Sequence, residues 1–147
     1  MPGGADTMTQ ANVSFSVPDE ARGKSRPRVT RHGTYTPDPA GWVQRVGEEG
    51  RMARLDPTVA EFTGVVRMEV RVHRAMPKSW SQKKKRIMDG ESCISTPDTV
   101  NILAAICDAL NHVLYADDRQ VCDLSITKRW GKEHGTWITL RYGETEA

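Results

Sequence analysis

Val66, Met68, Val70 and Val72 alternate with Arg67, Glu69, Arg71 and His73, a period of two that predicts a half-buried strand. Val13, Phe15 and Val17 alternate in the same way with Asn12, Ser14 and Ser16, predicting a short first strand. Over residues 38–55 the spacing turns helical, with Trp42, Val43, Val46 and Met52 on related faces, although Gly41, Gly47 and Gly50 weaken the propensity. The principal helix is expected from Thr96-Pro97, a capping hydroxyl followed by proline, to about Leu114. Ile102, Ile106, Ala109 and Val113 form one apolar stripe on it, and Leu103, Cys107, Leu110 and Leu114 form the neighbouring one. A turn at Ala116-Asp117-Asp118 leads into a strand over 121–127, and 136–142 is the last strand, with hairpin signals at Gly131 and Gly135 between them. Ser79 and Gln82 have the spacing of a capping box, which would open a short basic helix ending near Gly90.

Residues 18–39, crowded with Gly, Pro and Arg, read as one long irregular loop, a length that in a compact domain tends to carry function. Residues 1–11 lack periodicity and are expected to be a disordered leader; residues 12–143 read as a single domain. The fold class expected is α+β, a small mixed β-sheet packed on two main helices. A chain of 147 residues can bury enough surface to need no disulfide or metal staple. The apolar run over 102–107 is far short of the ~18 residues of a spanning helix, so no membrane partner is expected. No charged flank followed by an apolar stretch lies near Met1, and Cys93, Cys107 and Cys122 are widely spaced without a CxxC pair. Reduced, core-type thiols in a cytoplasmic protein are the expectation.

The net charge of +2 changes meaning once it is partitioned. Arg22, Lys24, Arg26, Arg28 and Arg31 lie in a stretch with no acid, as do Arg71, Arg74, Lys78, Lys83, Lys84, Lys85 and Arg86. These twelve cations leave nine basic residues against nineteen acids in the rest of the chain. Such segregation suits a protein that grips a polyanion, and nucleic acid is the partner it points to. Trp80 beside the lysines could stack on a base or cap a hydrophobic edge. His73 and His112 have no partner spacing suggestive of zinc and read as structural or surface groups.

The segment over 96–121 contains Thr96-Pro-Asp, Asn101, Asp108-Ala-Leu-Asn and Asp117-Asp-Arg-Gln-Val. It resembles the RusA family of crossover-junction (Holliday junction) endodeoxyribonucleases. Gly23-Lys-Ser-Arg-Pro-Arg, Thr34-Tyr-Thr-Pro and Pro77-Lys-Ser-Trp-Ser-Gln-Lys-Lys-Lys-Arg are similar to the corresponding stretches of its Gram-positive and phage branch. The resemblance implies a homodimer that resolves branched, four-way DNA in recombination and repair, with Mg2+ as cofactor. It makes Asp98 and Asp118 catalytic and Asp98, Asp117 and Asp118 the metal ligands. It also directs Lys24, Arg26, Arg28, Arg31, Lys78, Lys83, Lys84, Lys85 and Arg86 toward DNA. Clustered aspartates suit such chemistry because a held magnesium ion can neutralise phosphoryl charge and supply hydroxide.

Two family positions are substituted: Val100 stands where the second acid would be, and Ala104 where a lysine would be. They lie one helical turn apart, so one patch loses both its acid and its cation. Glu69, Glu91 or Asp123 could compensate only if the fold brought one of them to the cleft. Each remaining acid also has a plainer role: Asp98 suits a helix N-terminus, Asp117 and Asp118 suit a turn, and Asp108 suits a solvated or ion-paired helix position. Three functions follow: a RusA-like, Mg-dependent endonuclease with a severely reduced rate, a non-cleaving branched-DNA-binding protein, or a protein-interaction module using the Val100/Ala104 face.

Overall fold

The protein is described by a computed structural model over residues 12–38 and 40–143; the expected leader lies outside these residues. Alternation gives β1 (Asn12–Val17) and β4 (Val66–Ala75), each with one buried row. The other strands of the main sheet are β5 (Val121–Gly131) and β6 (Gly135–Tyr142). Their spatial order is β1-β6-β4-β5, with β4 antiparallel to β6 and parallel to β5. The hairpin signals at Gly131 and Gly135 therefore mark a reversal without pairing. Residues 132–134 carry the chain over the end of β4, and the Ala75 amide is satisfied by His134 Nδ1 at 3.1 Å. The parallel pair needs a long crossover, here residues 76–120.

Two twelve-residue helices, α1 (Trp42–Ala53) and α3 (Thr99–Leu110), lie within that frame, and the short α2 (Gln82–Met88) buries no side chain. Trp42 and Val46 of α1 share one core with Ile102, Ala105, Ile106 and Leu110 of α3 and with Val66, Met68, Val70 and Val72 of β4. This is the expected α+β arrangement, with the inner row of the sheet facing helices and the outer row open.

Several boundaries move for local reasons. α1 begins at Trp42, not Asp38, because Asp38 stays outside and accepts from the Val43 and Gln44 amides at 3.2 and 3.1 Å. Met52 is exposed rather than on the buried face. Ser81, not Ser79, caps α2, its side chain accepting from the Lys84 amide. α3 begins at Thr99 with Asp98 as cap and ends at Leu110; the Thr96–Pro97 peptide is cis and precedes it. Val113 and Leu114 are buried from the turn that follows, not from the helix. Cys93 is buried, Cys107 is half-buried and Cys122 is exposed, so only part of the expected thiol set is core.

The expected long loop contains a two-stranded antiparallel ribbon, β2 (Arg28–Thr30) and β3 (Gly33–Tyr35). Thr30 closes its turn, with Oγ1 accepting from the His32 amide and donating to the Gly33 carbonyl. Gly33 has φ +125°, a conformation that side chains disfavour.

Full burial makes Ile106 sensitive: Ile106→Ala should lower stability by about 2–5 kcal/mol in urea unfolding, whereas Met52→Ala should stay within about 0.5 kcal/mol.

Candidate active site and nucleic-acid interface

The head of α3 organises this region. Asp98 Oδ1 accepts from the Asn101 amide at 2.7 Å, which satisfies one of the helix's orphan donors. Val100 follows with 76% of its surface exposed, and Ala104 is half-buried one turn on. The chain after β1 is laid across this turn. The Lys24 amide donates to the Asn101 carbonyl at 3.2 Å, and a Cβ on Gly23 would stand 3.1 Å from Asn101 Cβ. Lys24 Nζ reaches 3.8 Å from Asp108 Oδ1, one turn beyond Ala104 on the same helix side. Asp108 thus takes the ion-paired role.

Lys128 ties this head to the sheet. Its ammonium donates to the Ser95 carbonyl and, at 2.8 Å, to the Pro97 carbonyl. Sequence reasoning missed it, although a signal exists. Lys128 shares the inward phase of β5 with Leu124 and Ile126, opposite Val72, where an apolar residue would be ordinary. Two residues further, Trp130 meets Trp80 edge-on with ring centroids 4.9 Å apart, and Lys84 Nζ sits 4.3 Å from the Trp80 centroid. Trp80 therefore packs on a hydrophobic edge, and α2 is anchored at the end of β5 that carries the α3 head. Lys78, Lys83, Lys84 and Arg86 are exposed there and Lys85 is half-buried.

Other members of the basic stretches are engaged elsewhere. Arg74 and Arg22 pair with Glu20 at 2.9 and 3.9 Å, and the Arg71 guanidinium lies over Trp137 at 5.8 Å. Arg26, Arg28 and Arg31 are exposed on and before the β2–β3 ribbon.

Asp117 and Asp118 stand past the tail of α3. Asp117 forms a reciprocal capping box with Gln120, whose Oε1 accepts from the Asp117 amide at 2.7 Å. Gln120 Nε2 donates to the Phe62 and Gly64 carbonyls at 2.6 and 2.9 Å, so a buried amide fixes the whole turn. The Arg119 amide holds the Asp117 carboxyl below the usual carboxylate range. Burial raises the Cys107 thiol and the Tyr115 hydroxyl, and the charge of Asp118 raises both further. Asp118 itself opens the short turn that follows α3.

Asp98, Asp117 and Asp118 accordingly do not form a three-ligand cluster; none of three or more metal-ligating side chains occurs among the described residues. Asp98 stands at the head of α3, and Asp117 and Asp118 follow its tail. Glu69 and Asp123 cannot make up the set, because they lie on the outward face of the sheet, where Asp123 pairs with Arg67. Glu91 is exposed at the Trp130 end of β5. Magnesium commonly needs only one or two carboxylates from the protein, with water and phosphate oxygens completing its shell, so Asp98 or the Asp117-Asp118 pair would each have the chemistry to hold it.

The family profile of endodeoxyribonuclease RusA matches residues 18–141. An uncharacterized protein of Bacillus subtilis (strain 168), YqaN, is 33% identical over 141 residues, covering 88% of this chain and 95% of its own. The chain belongs to the RusA family, whose members are metal-dependent endodeoxyribonucleases that resolve Holliday junctions in DNA recombination. Among the described residues no helix is long and apolar enough to cross a membrane.

If the bond from Asp98 to the Asn101 amide is structural, Asp98→Ala should cost about 0.5–2 kcal/mol, while Asp98→Asn, an equally good cap, should leave chemical denaturation nearly unchanged. Gln120→Leu strands two carbonyls and an amide and should cost about 1–3 kcal/mol by the same measurement.

Proposed function

We propose that this chain is a RusA-type protein that recognises branched, four-way DNA as a homodimer in recombination and repair, with a hydrolytic step severely slowed. The observation that carries this reading is the set of cations from three segments along α3: Lys128 and α2 at its head, where Val100 is exposed, and Lys24, whose ammonium lies beside Asp108 near its tail. Such a set of cations attracts phosphate, and its attraction should fall steeply with salt. Lys78, Lys83, Lys84, Lys85 and Arg86 contribute charge from the α2 side, and Lys24, Arg26, Arg28 and Arg31 from the β1 side.

Hydrolysis needs more than attraction. Position 100 offers no carboxylate and position 104 no ammonium, and each lost electrostatic contributor can cost ~10²–10³ in rate. Lys24 is the cation best placed to stand in for the one missing at 104, but it is shared with Asp108. A second copy, placed by two-fold symmetry, would set two equivalent sites against the two like strands of a junction. The dispersed carboxylates favour a second reading, a RusA-fold protein that binds branched DNA without cutting it.

A labelled four-way junction in Mg2+ or Mn2+ separates these outcomes. Wild type should bind and nick at least ~10²-fold more slowly than the Val100→Asp/Ala104→Lys double variant. Equal cleavage by both would refute the role given to the two substitutions. Complete absence of wild-type nicking, with the double variant active, would select the non-cleaving reading.

A further inference from the structure

We propose that the β2–β3 ribbon is an arm that enters the major groove of a duplex in the bound DNA, an inference that rests on the DNA-binding reading above. Every residue from Arg26 to Thr36 is exposed, so the ribbon buries neither of its faces against the sheet or the helices. A two-stranded ribbon is marginally stable in water by itself, and a surface that it docks against would complete it. Its chemistry names the surface. Arg26, Arg28 and Arg31 project from it or lead into it, and no acid occurs over residues 21–37.

Its dimensions select the groove. Two strands lie about 4.8 Å apart, and their side chains widen the ribbon to roughly 10 Å. That width fits a major groove of about 12 Å and not a minor groove of about 6 Å. Arg28 faces Tyr35 across the ribbon, Val29 faces Thr34, and Arg31 lies at the tip. Val29 is 82% exposed, an apolar group with nothing to pack on in the free protein. In a groove it would meet base edges, where thymine methyls provide apolar contact and guanine N7 and O6 accept from arginine. The ribbon leads through Lys24 to the Asn101 carbonyl, so an arm seated in DNA would be tied to the head of α3.

The test compares wild type, Arg28→Gln/Arg31→Gln, Val29→Asp and Lys83→Gln/Lys84→Gln/Lys85→Gln on a labelled four-way junction. Affinity is measured across a salt series, and guanine N7 reactivity toward dimethyl sulfate is mapped in the complexes. Wild type should protect a short run of guanines in the duplex arms. The arginine variant should lose that protection and bind about 10-fold or more weakly. Val29→Asp should lose protection with all the ribbon's cations retained, and the α2 variant should weaken binding while keeping the protected run. Unprotected N7 positions under bound wild type, or protection that survives both ribbon changes, would overturn the arm. Failure of wild type to bind junctions at any salt would instead refute the DNA reading itself, and the arm with it.

Discussion

Lys128 reaches inward from β5 and donates to the Ser95 and Pro97 carbonyls, so the approach to α3 is bound to the sheet by a charge. Hydrogen bonds from an ammonium are among the stronger kinds, and these two are partly shielded from water. Their consequence is positional. With residues 95–97 held, Asp98 caps the helix, Asn101 presents its carbonyl, and the chain at Gly23-Lys24 can land on it. The same strand then offers Trp130 to Trp80 and sets α2 beside the site. A single half-buried cation thereby aligns three segments that are remote in sequence.

The two substituted positions look different once placed. An acid and a lysine in a partly buried cleft would be lost together because either alone would leave an unpaired charge. Val100, however, is 76% exposed, and an unpartnered acid there would be solvated at little cost. Burial therefore does not require the double change, and Val100 gains nothing from packing. Ala104 is half-buried beneath the path of Lys24, where a second long cation would compete for Asp108. The pairing of Lys24 with Asp108 is thus the structural counterpart of the small residue at 104.

What was legible in the sequence follows from what each signal measures. Alternation reports a buried row, so β1, β4 and β6 were readable from their own residues, and the apolar stripe of α3 located its inner face. Turn signals report reversal and say nothing of neighbours; Gly131 and Gly135 could not disclose that β4 lies between β5 and β6. The β2–β3 ribbon has no buried row at all and left no alternation to find. Site residues divide in the same way. Asp98 and the Asp117–Gln120 capping box act through bonds within three residues and were visible as motifs, whereas the reach of Gln120 to Phe62 and Gly64 was not. Lys128 acts across more than thirty residues, and its separation from Asp98 along the chain hid it.

The charge pattern gains its force from what the fold does with the acids. Exposed ion pairs contribute little to stability, but each one cancels a field that a ligand would otherwise feel. Glu20 occupies Arg22 and Arg74, and Asp123 occupies Arg67. Arg26, Arg28, Arg31, Lys78, Lys83, Lys85 and Arg86 make no ion pair among the described residues. The fold thus leaves cations uncompensated along the ribbon, which follows the chain seated on Asn101, and along α2, anchored at Trp130. A polyanion reaching both segments would neutralise charge that nothing within the described chain does, and a duplex is long and stiff enough to offer phosphates to each.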